Sequence, residues 1–416
     1  MRRWRRIRRV RRRNYAGHSV RLATHTLFET LVRSRGLDFF PVEVNPRDVL
    51  ESEAGQKWLD ADSNVLLLLH RFSRIAMPLV RQSLIDCWNA SQGTEAILSV
   101  ALAACVAYPV AEKLRVPFGV ISVHPLTPTR TFASPFFPPA PAWFPWGSGY
   151  YNHATYLLPV HIFWLLIRPS VNKALGEVLD IPPLSSQCFL NLLLHQATPF
   201  FYSYSSTVLP KPPDWRDWHS VGGYWFLDHQ ADWQPPVDLV DFLASGAPPV
   251  CLGFGSMSNH NSEEVTEIAL KALARSRQRG ILLTGWGGLS NADLPDEVFK
   301  IDEVPHDWLF PQMAAVVHHG GSGTTAAGLR AGIPSVIVPF FDDQPFWGRR
   351  VFELGAGPKP IPRKRLSVER LAAAISAATS DPGMRRRAAA LGVGVRAEDG
   401  LAQAVAAFDR HMSAKA

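Results

Sequence analysis

The chain has 416 residues, 47% of them hydrophobic and 19% charged, too many for one ordinary core and enough for two soluble domains of about 200 residues each. Its net charge of +7 does not mark a nucleic-acid binder, because nine of the 43 basic residues stand in the opening MRRWRRIRRVRRR and the remaining 34 face 36 acidic ones. A nucleic-acid site needs a basic face on the folded part, so no nucleic-acid partner is expected.

In chain order, residues 1–15 come first. Trp4, Ile7 and Val10 fall at spacing three among the arginines, which would suit an amphipathic helix making peripheral contact with a membrane surface. A disordered or artefactual leader is the plainer expectation. No continuous apolar region follows Arg13, as a secretory signal requires. The longest apolar runs, ILSVALAACVAYPV and YLLPVHIFWLLI, are too short to span a bilayer. Cys87, Cys105, Cys188 and Cys251 show no Cys-x-x-Cys or zinc spacing. A reduced, cytoplasmic monomer without a metal is expected.

The first domain is expected over residues 16–230. SVRLATH reads as a strand, THTLFETLVRSRG as a helix, NVLLLLHRFSRIAMPLVRQSLIDCW as a long helix and FGVISVH as a strand. HPLTPTRTFASPFFPPAPAWFP is a proline- and aromatic-rich loop, after which helical periodicity returns from Tyr150 to Leu179. KPPDWRDWHSVGGYWFLDHQADWQPP reads as the junction, and residues 231–416 as the second domain. There PPVCLGFGSM, ILLTGWGG, AAVVHH and PSVIVPF are strands, while SEEVTEIALKALARSRQRG and TTAAGLRAG are helices. Both halves alternate strand and helix, so the fold class is α/β, two doubly wound Rossmann-like domains with parallel sheets.

The segment VVHHGGSGTTAAGLRAGIPSVIVPFFDDQPFWG carries the chemistry. A buried strand runs into Gly320, Gly321, Ser322 and Gly323, and a helix starts near Thr324. Strand, glycine turn and helix N-terminus together present free backbone N–H groups and the positive end of a helix dipole to an anion. Ser322 and Thr324 can add hydroxyls and His319 a ring N–H, so a diphosphate is implied. Neither the Walker pattern nor the dinucleotide G-x-G-x-x-G is present. The next strand brings Asp343 and Gln344 to its carboxyl end, where open α/β sheets bind ligands. A carboxylate beside an amide suits neighbouring hydroxyls, and hydroxyls beside a diphosphate mean a nucleotide sugar.

The same residues resemble the donor-binding segment of GT-B glycosyltransferases of the UDP-glycosyltransferase type, especially sterol glucosyltransferases and bacterial enzymes acting on lipids and secondary metabolites. GHSVRLATH, HPLTPTR, GYWFL, GFGSM, TGWGG and VPHDWLFPQMAAVVHHGG extend the resemblance from about Gly17 to about Ala378. It implies that His319 and the amides of Gly321, Ser322, Gly323 and Thr324 hold the UDP phosphates, approached by Ser256. Val304, Pro305 and Trp308 would line the nucleoside pocket, and Asp343 with Gln344 would bind the sugar. Asp342 stands where the family usually has glycine. The family's first strand and its acidic loop, source of the presumed general base, have no counterpart upstream of Ala16, and a frameshift, truncation or misassigned start is expected there. The catalytic base is therefore unassigned, with His25 and His124 as substitutes. His124, Phe136, Trp143 and Trp146 are candidates for an apolar acceptor pocket. The implied reaction is inverting transfer of a hexose, glucose from UDP-glucose in the first instance, to a hydroxyl of a small apolar acceptor, the UDP-sugar being a co-substrate with no cofactor. The alternative is an impaired sugar-nucleotide-binding remnant of such an enzyme.

Overall fold

The computed structural model describes residues 17–45, 48–49, 52–53, 55, 65–254, 262–284 and 294–412. The arginine-rich leader lies outside the described residues. The first block contains β1 (Arg21–His25), α1 (Glu29–Ser34), β2 (Asp38–Val42), α2 (Val65–Ala90), β3 (Ile97–Val100), α3 (Ala104–Leu114), β4 (Phe118–Ser122), α4 (Ser148–Ala174), α5 (Phe189–His195), β5 (Phe200–Tyr202) and β6 (His219–Val221). The second contains α6 (Val237–Ala244), β7 (Val250–Gly253), α7 (Ser262–Ser276), β8 (Gly280–Leu283), β9 (Val298–Ile301), α8 (His306–Leu309), β10 (Ala315–His318), α9 (Ser322–Ala331), β11 (Ser335–Ile337), α10 (Gln344–Glu353), α11 (Val368–Ser380), α12 (Pro382–Ala397) and α13 (Gly400–Met412).

Among the described residues every strand pairing is parallel. In the second block the order is β11-β10-β7-β8-β9. β10 is buried along its whole length and β7 over its first three residues, which is why their sequences are nearly all apolar. The chain runs outward from β7 through β8 to β9, then returns to β7's other side as β10. The switch point of this sheet therefore falls between β7 and β10, the place where such sheets bind ligands.

The first block's sheet is in two pieces, β1-β2 and β3-β4-β5-β6. The usual doubly wound order, 3-2-1-4-5-6, would set one more strand between β1 and β3; none is present there among the described residues. Leu22 on β1 and Leu98 and Val100 on β3 are exposed accordingly. Arg21 closes part of the opening by donating to the carbonyls of Ala90 (2.9 Å) and Gln92 (3.2 Å), just ahead of β3.

Two features depart from the sequence reading. The run YLLPVHIFWLLI lies inside a continuous 27-residue helix, α4, in spite of Pro159 and Pro169. That helix is long and apolar enough to cross a membrane, although Tyr156, Trp164, Ile167 and Val171 bury one face in the first block's core. Secondly, α13 packs back on the first block: Ala407 and Phe408 meet Phe201 of β5, and Asp409 pairs with His18 at 2.8 Å. By packing, α13 belongs to the block that the chain left at the junction.

The two blocks share one buried cluster, which runs from Val80 and Leu84 of α2 to Phe346, Trp347 and Val351 of α10. Across the seam Phe132 meets Phe346 at 5.9 Å and Tyr204 meets Trp347 at 5.9 Å. Arg350 Nε donates to the carbonyl of Val208 at 2.6 Å.

Candidate functional site

The site begins where β10 ends. His318 is fully buried, and its Nδ1 accepts the Gly320 N–H at 3.0 Å. An imidazole that accepts at Nδ1 and is neutral carries its proton on Nε2. His318 is neutral, because burial, then the neighbouring His319 and His306, hold it well below the usual histidine range. Its Nε2 has no partner. His319 is likewise pushed down to about 4, chiefly by burial, and its Nδ1 is buried without a partner. Two adjacent rings thus leave polar atoms unmatched in one wall, at about 1–3 kcal/mol each.

The turn that follows needs its glycines. Gly320 has φ +92°, the left-handed region, and a Cβ there would also come within 2.7 Å of Ile337 Cγ2. At Gly321 a Cβ would collide with Nε2 of His319. The α9 helix starts at Ser322 with no side-chain cap, so its first N–H groups are free to face a ligand. The space beside Gly323 is open, with nothing within 4 Å of a Cβ built there. Ser322 Oγ instead donates to the Val123 carbonyl at 3.2 Å, joining α9 to the loop after β4.

The two histidines and Thr324 border a cavity of about 600 Å³ at the carboxyl ends of β7, β8 and β10. His318, His319 and Thr324 form one side, while Trp233, Val304 and Pro305 form an apolar, partly aromatic side. Thr284 hydrogen-bonds Asp302, which with Glu303 supplies carboxylates at the border. The expected Val304 is therefore on the wall. Trp308 is not: its ring packs edge-on against Trp233 at 5.4 Å, and Trp233 takes the wall position. Ser256 lies outside the described residues. His318 and Trp233 line the cavity without being expected there; the His-His doublet is the available signal for the first, and the second lies in what reads as a junction.

Asp343 and Gln344 sit at the foot of α10, both buried. Asp343 Oδ2 accepts from Trp347 Nε1 at 2.9 Å and lies 3.5 Å from His124 Nδ1, across the seam. Gln344 departs from the expectation of a residue free to serve sugar hydroxyls. Its Oε1 accepts the N–H groups of Phe340 (2.8 Å) and Phe341 (3.3 Å), so its acceptor is committed to holding the loop. Asp342 reaches solvent in a left-handed conformation, φ +61°. Glycine takes that conformation freely, and aspartate is among the residues that tolerate it at a cost of about 1 kcal/mol. Partial desolvation, then the adjacent Asp343 carboxylate, raise the Asp342 carboxyl above the usual carboxylate range.

On the first block's side, His124 follows β4 and packs edge-on against Phe136 at 5.2 Å. Its Nδ1 faces Asp343 and has no hydrogen bond. These two acceptor candidates are thus brought to the seam. Trp143 and Trp146 are not; they stand 79% and 81% exposed. His25 caps the turn after β1, its Nδ1 accepting from the Leu27 N–H at 3.2 Å.

Two parallel doubly wound domains meeting beside a cavity at a switch point are the architecture of GT-B glycosyltransferases. The solved glycosyltransferase of kitacinnamycin superposes with a TM-score of 0.66 at 20% identity, covering 95% of this chain and 92% of that one. The calicheamicin glycosyltransferase does so with a TM-score of 0.60 at 17% identity, over 96% and 92%. A glycosyltransferase of Streptomyces sp. SF2575, solved with thymidine diphosphate, gives 0.55 at 17% identity, over 92% and 89%. Residues 286–405 match the erythromycin biosynthesis protein CIII-like C-terminal domain.

Two sterol 3-beta-glucosyltransferases of Arabidopsis thaliana are 37% and 38% identical over 406 and 407 residues, 95% of this chain in each case. One from Aspergillus clavatus is 35% identical over 408 residues. The chain spans 64% and 61% of the plant proteins' length and 28% of the fungal one's. Its fold is that of GT-B glycosyltransferases, and over the shared span its sequence is similar to sterol glucosyltransferases.

Proposed function

We propose that this chain binds a UDP-hexose, UDP-glucose in the first instance, and transfers the sugar with inversion to a hydroxyl of a small apolar acceptor such as a sterol. The observation that carries the reading is the combination of an uncapped α9 N-terminus with two buried, unmatched histidine nitrogens in one cavity wall. Free amide N–H groups and a helix dipole in a water-poor wall suit a diphosphate and, in the transition state, the charge that grows on the leaving UDP. The sterol glucosyltransferase relatives support glucose as the sugar and an apolar alcohol as the acceptor.

Within this reading Asp343 faces the hexose and His124 is the candidate base. A carboxylate held opposite Nδ1 favours the tautomer that leaves Nε2 as acceptor for a hydroxyl proton. The acceptor oxygen then attacks the anomeric carbon, the glycosidic bond to UDP breaks, and the proton passes to His124. A monomer acting in a reducing, cytoplasmic setting is proposed as well; the four free thiols fit it. Contact with a membrane surface belongs to the same proposal.

A second reading is favoured by one observation, the interrupted first sheet. It is a chain that binds sugar nucleotide and transfers poorly. UDP release from UDP-glucose with a panel of sterols and polyphenols separates the two. His319→Ala should weaken UDP binding by about 1.5–3 kcal/mol, the range for hydrogen bonds to charged groups. Calorimetry showing unchanged UDP affinity would remove the cavity from both readings.

A further inference from the structure

The outer face of α4 has no partner among the described residues. Tyr150, Ala154, Leu158 and Leu165 follow one another at helical spacings of four, four and seven and stand exposed, 71% at Tyr150 and 61% at Leu158. Just ahead of them the loop leading into the helix projects the indoles of Trp143 and Trp146, which touch Phe144 at 5.6 and 5.0 Å and otherwise face solvent. Large exposed apolar patches on a folded domain mark interaction surfaces. A pair of tryptophans and a tyrosine at the end of an apolar stripe is the composition that settles at a bilayer's headgroup level.

The charge around the patch selects among partners. From Lys113 to Gly176 the chain contains no aspartate or glutamate. The charged or titratable groups bordering the stripe are Arg130, stacked over Tyr150 at 5.2 Å, His153, His161 and Arg168. Neither arginine forms an ion pair among the described residues. Asp214, exposed beside Arg130, is engaged by the Thr129 hydroxyl and the Arg130 backbone N–H. Between α4 and α5 a hollow of about 790 Å³ is lined by Leu157 and Leu158 together with Arg130, His153 and His161. Apolar surface at the centre, aromatic rings at one end and unpaired cations at the border complement anionic headgroups over acyl chains.

We propose that this face of α4 and its leading loop docks the protein on a bilayer containing anionic phospholipid, with α4 lying along the surface. The buried opposite face, anchored by Tyr156, Trp164 and Ile167, holds the helix in the domain and prevents it from spanning. The proposal gives a location to the membrane contact put forward above. Its test is independent of transfer, because vesicle binding needs neither donor nor acceptor.

The full chain should float with mixed phosphatidylcholine–phosphatidylglycerol vesicles and remain bound at about 0.5 M salt, where exposed charges are screened within a few ångströms. The variant Trp143→Ser/Trp146→Ser/Leu158→Ser/Leu165→Ser should partition at least tenfold less, roughly the change expected on deleting that much buried apolar surface. Its UDP affinity and melting temperature should match the parent's, which shows that it folds. Equal flotation of variant and parent would overturn the proposal. So would parent binding that vanishes at high salt, the behaviour of the arginine-rich opening acting alone. A parent that forms dimers, fails to float and becomes monomeric in the variant would assign the face to a second copy instead.

Discussion

Gly323 offers a probe in which stability and binding move in opposite directions. It occupies the first turn of α9, and a Cβ at this position meets no atom within 4 Å. Gly323→Ala therefore introduces no clash in the free protein, and alanine gains about 0.5–1 kcal/mol over glycine in a helix, somewhat less at its first turn. The melting temperature should stay level or rise by about 1–3 °C. With a diphosphate seated on the free N–H groups, the new methyl occupies the space that its oxygens need. Displacing them from one charge-assisted hydrogen bond costs about 1.5–3 kcal/mol, a loss of roughly ten- to a hundredfold in UDP affinity. Calorimetric titration with UDP, beside a thermal melt without it, measures both numbers. Unchanged affinity with a raised melting temperature would refute the placement of the diphosphate at this helix.

Three further outcomes are expected. Asp343→Asn keeps an acceptor for the Trp347 indole and should lower UDP-glucose affinity or turnover, while UDP alone binds within about twofold of the parent; equal losses for both ligands would take Asp343 out of contact with the sugar. Burial, then the Lys211 ammonium, push His219 down to about 4, and both of its ring nitrogens lack partners. Its unfolded value lies near 6.5, so the unfolded chain binds the extra proton and stability falls as pH drops from about 6.5 to 4. His219→Leu should remove about 2 kcal/mol of that loss at pH 5 relative to pH 8, read from denaturant melts at the two pH values. In hydrogen exchange the amides of β1 and β2 should exchange much faster than those of β7 and β10, which lie inside a five-stranded sheet; uniform protection would mean that the interruption between β1 and β3 costs the domain nothing.

The donor half was legible because its residues serve one local purpose. Val316, Val317 and the glycines after His319 lie on consecutive positions, so strand, turn and helix could be read directly and the anion site followed. The wall opposite was harder, because Trp233 comes from a loop far along the chain and reaches the cavity only through tertiary packing. Gln344 shows a different limit: composition says which hydrogen bonds an amide can make, and only the fold shows that Phe340 and Phe341 take its oxygen. In the first block β3 and α3 lie in one apolar run, which periodicity cannot divide, and β2 carries Pro41 in a sequence that does not advertise a strand. β6 is three residues long between tryptophan-rich turns. Trp143 and Trp146 are candidates for pocket lining on hydrophobicity alone, and hydrophobicity does not say which side of a domain a loop faces.

The return of α13 to the first block has a mechanical consequence. The polypeptide crosses the seam twice, once through the junction before α6 and once on the way into α13. Two domains joined by one tether can swivel about it in any direction, whereas two crossings resist twisting and leave bending about the line between them as the soft motion. The Tyr204–Trp347 and Arg350–Val208 contacts lie along the same seam. Opening by such a bend would carry His124 away from Asp343 along a narrow arc and return it to the same register on each closure.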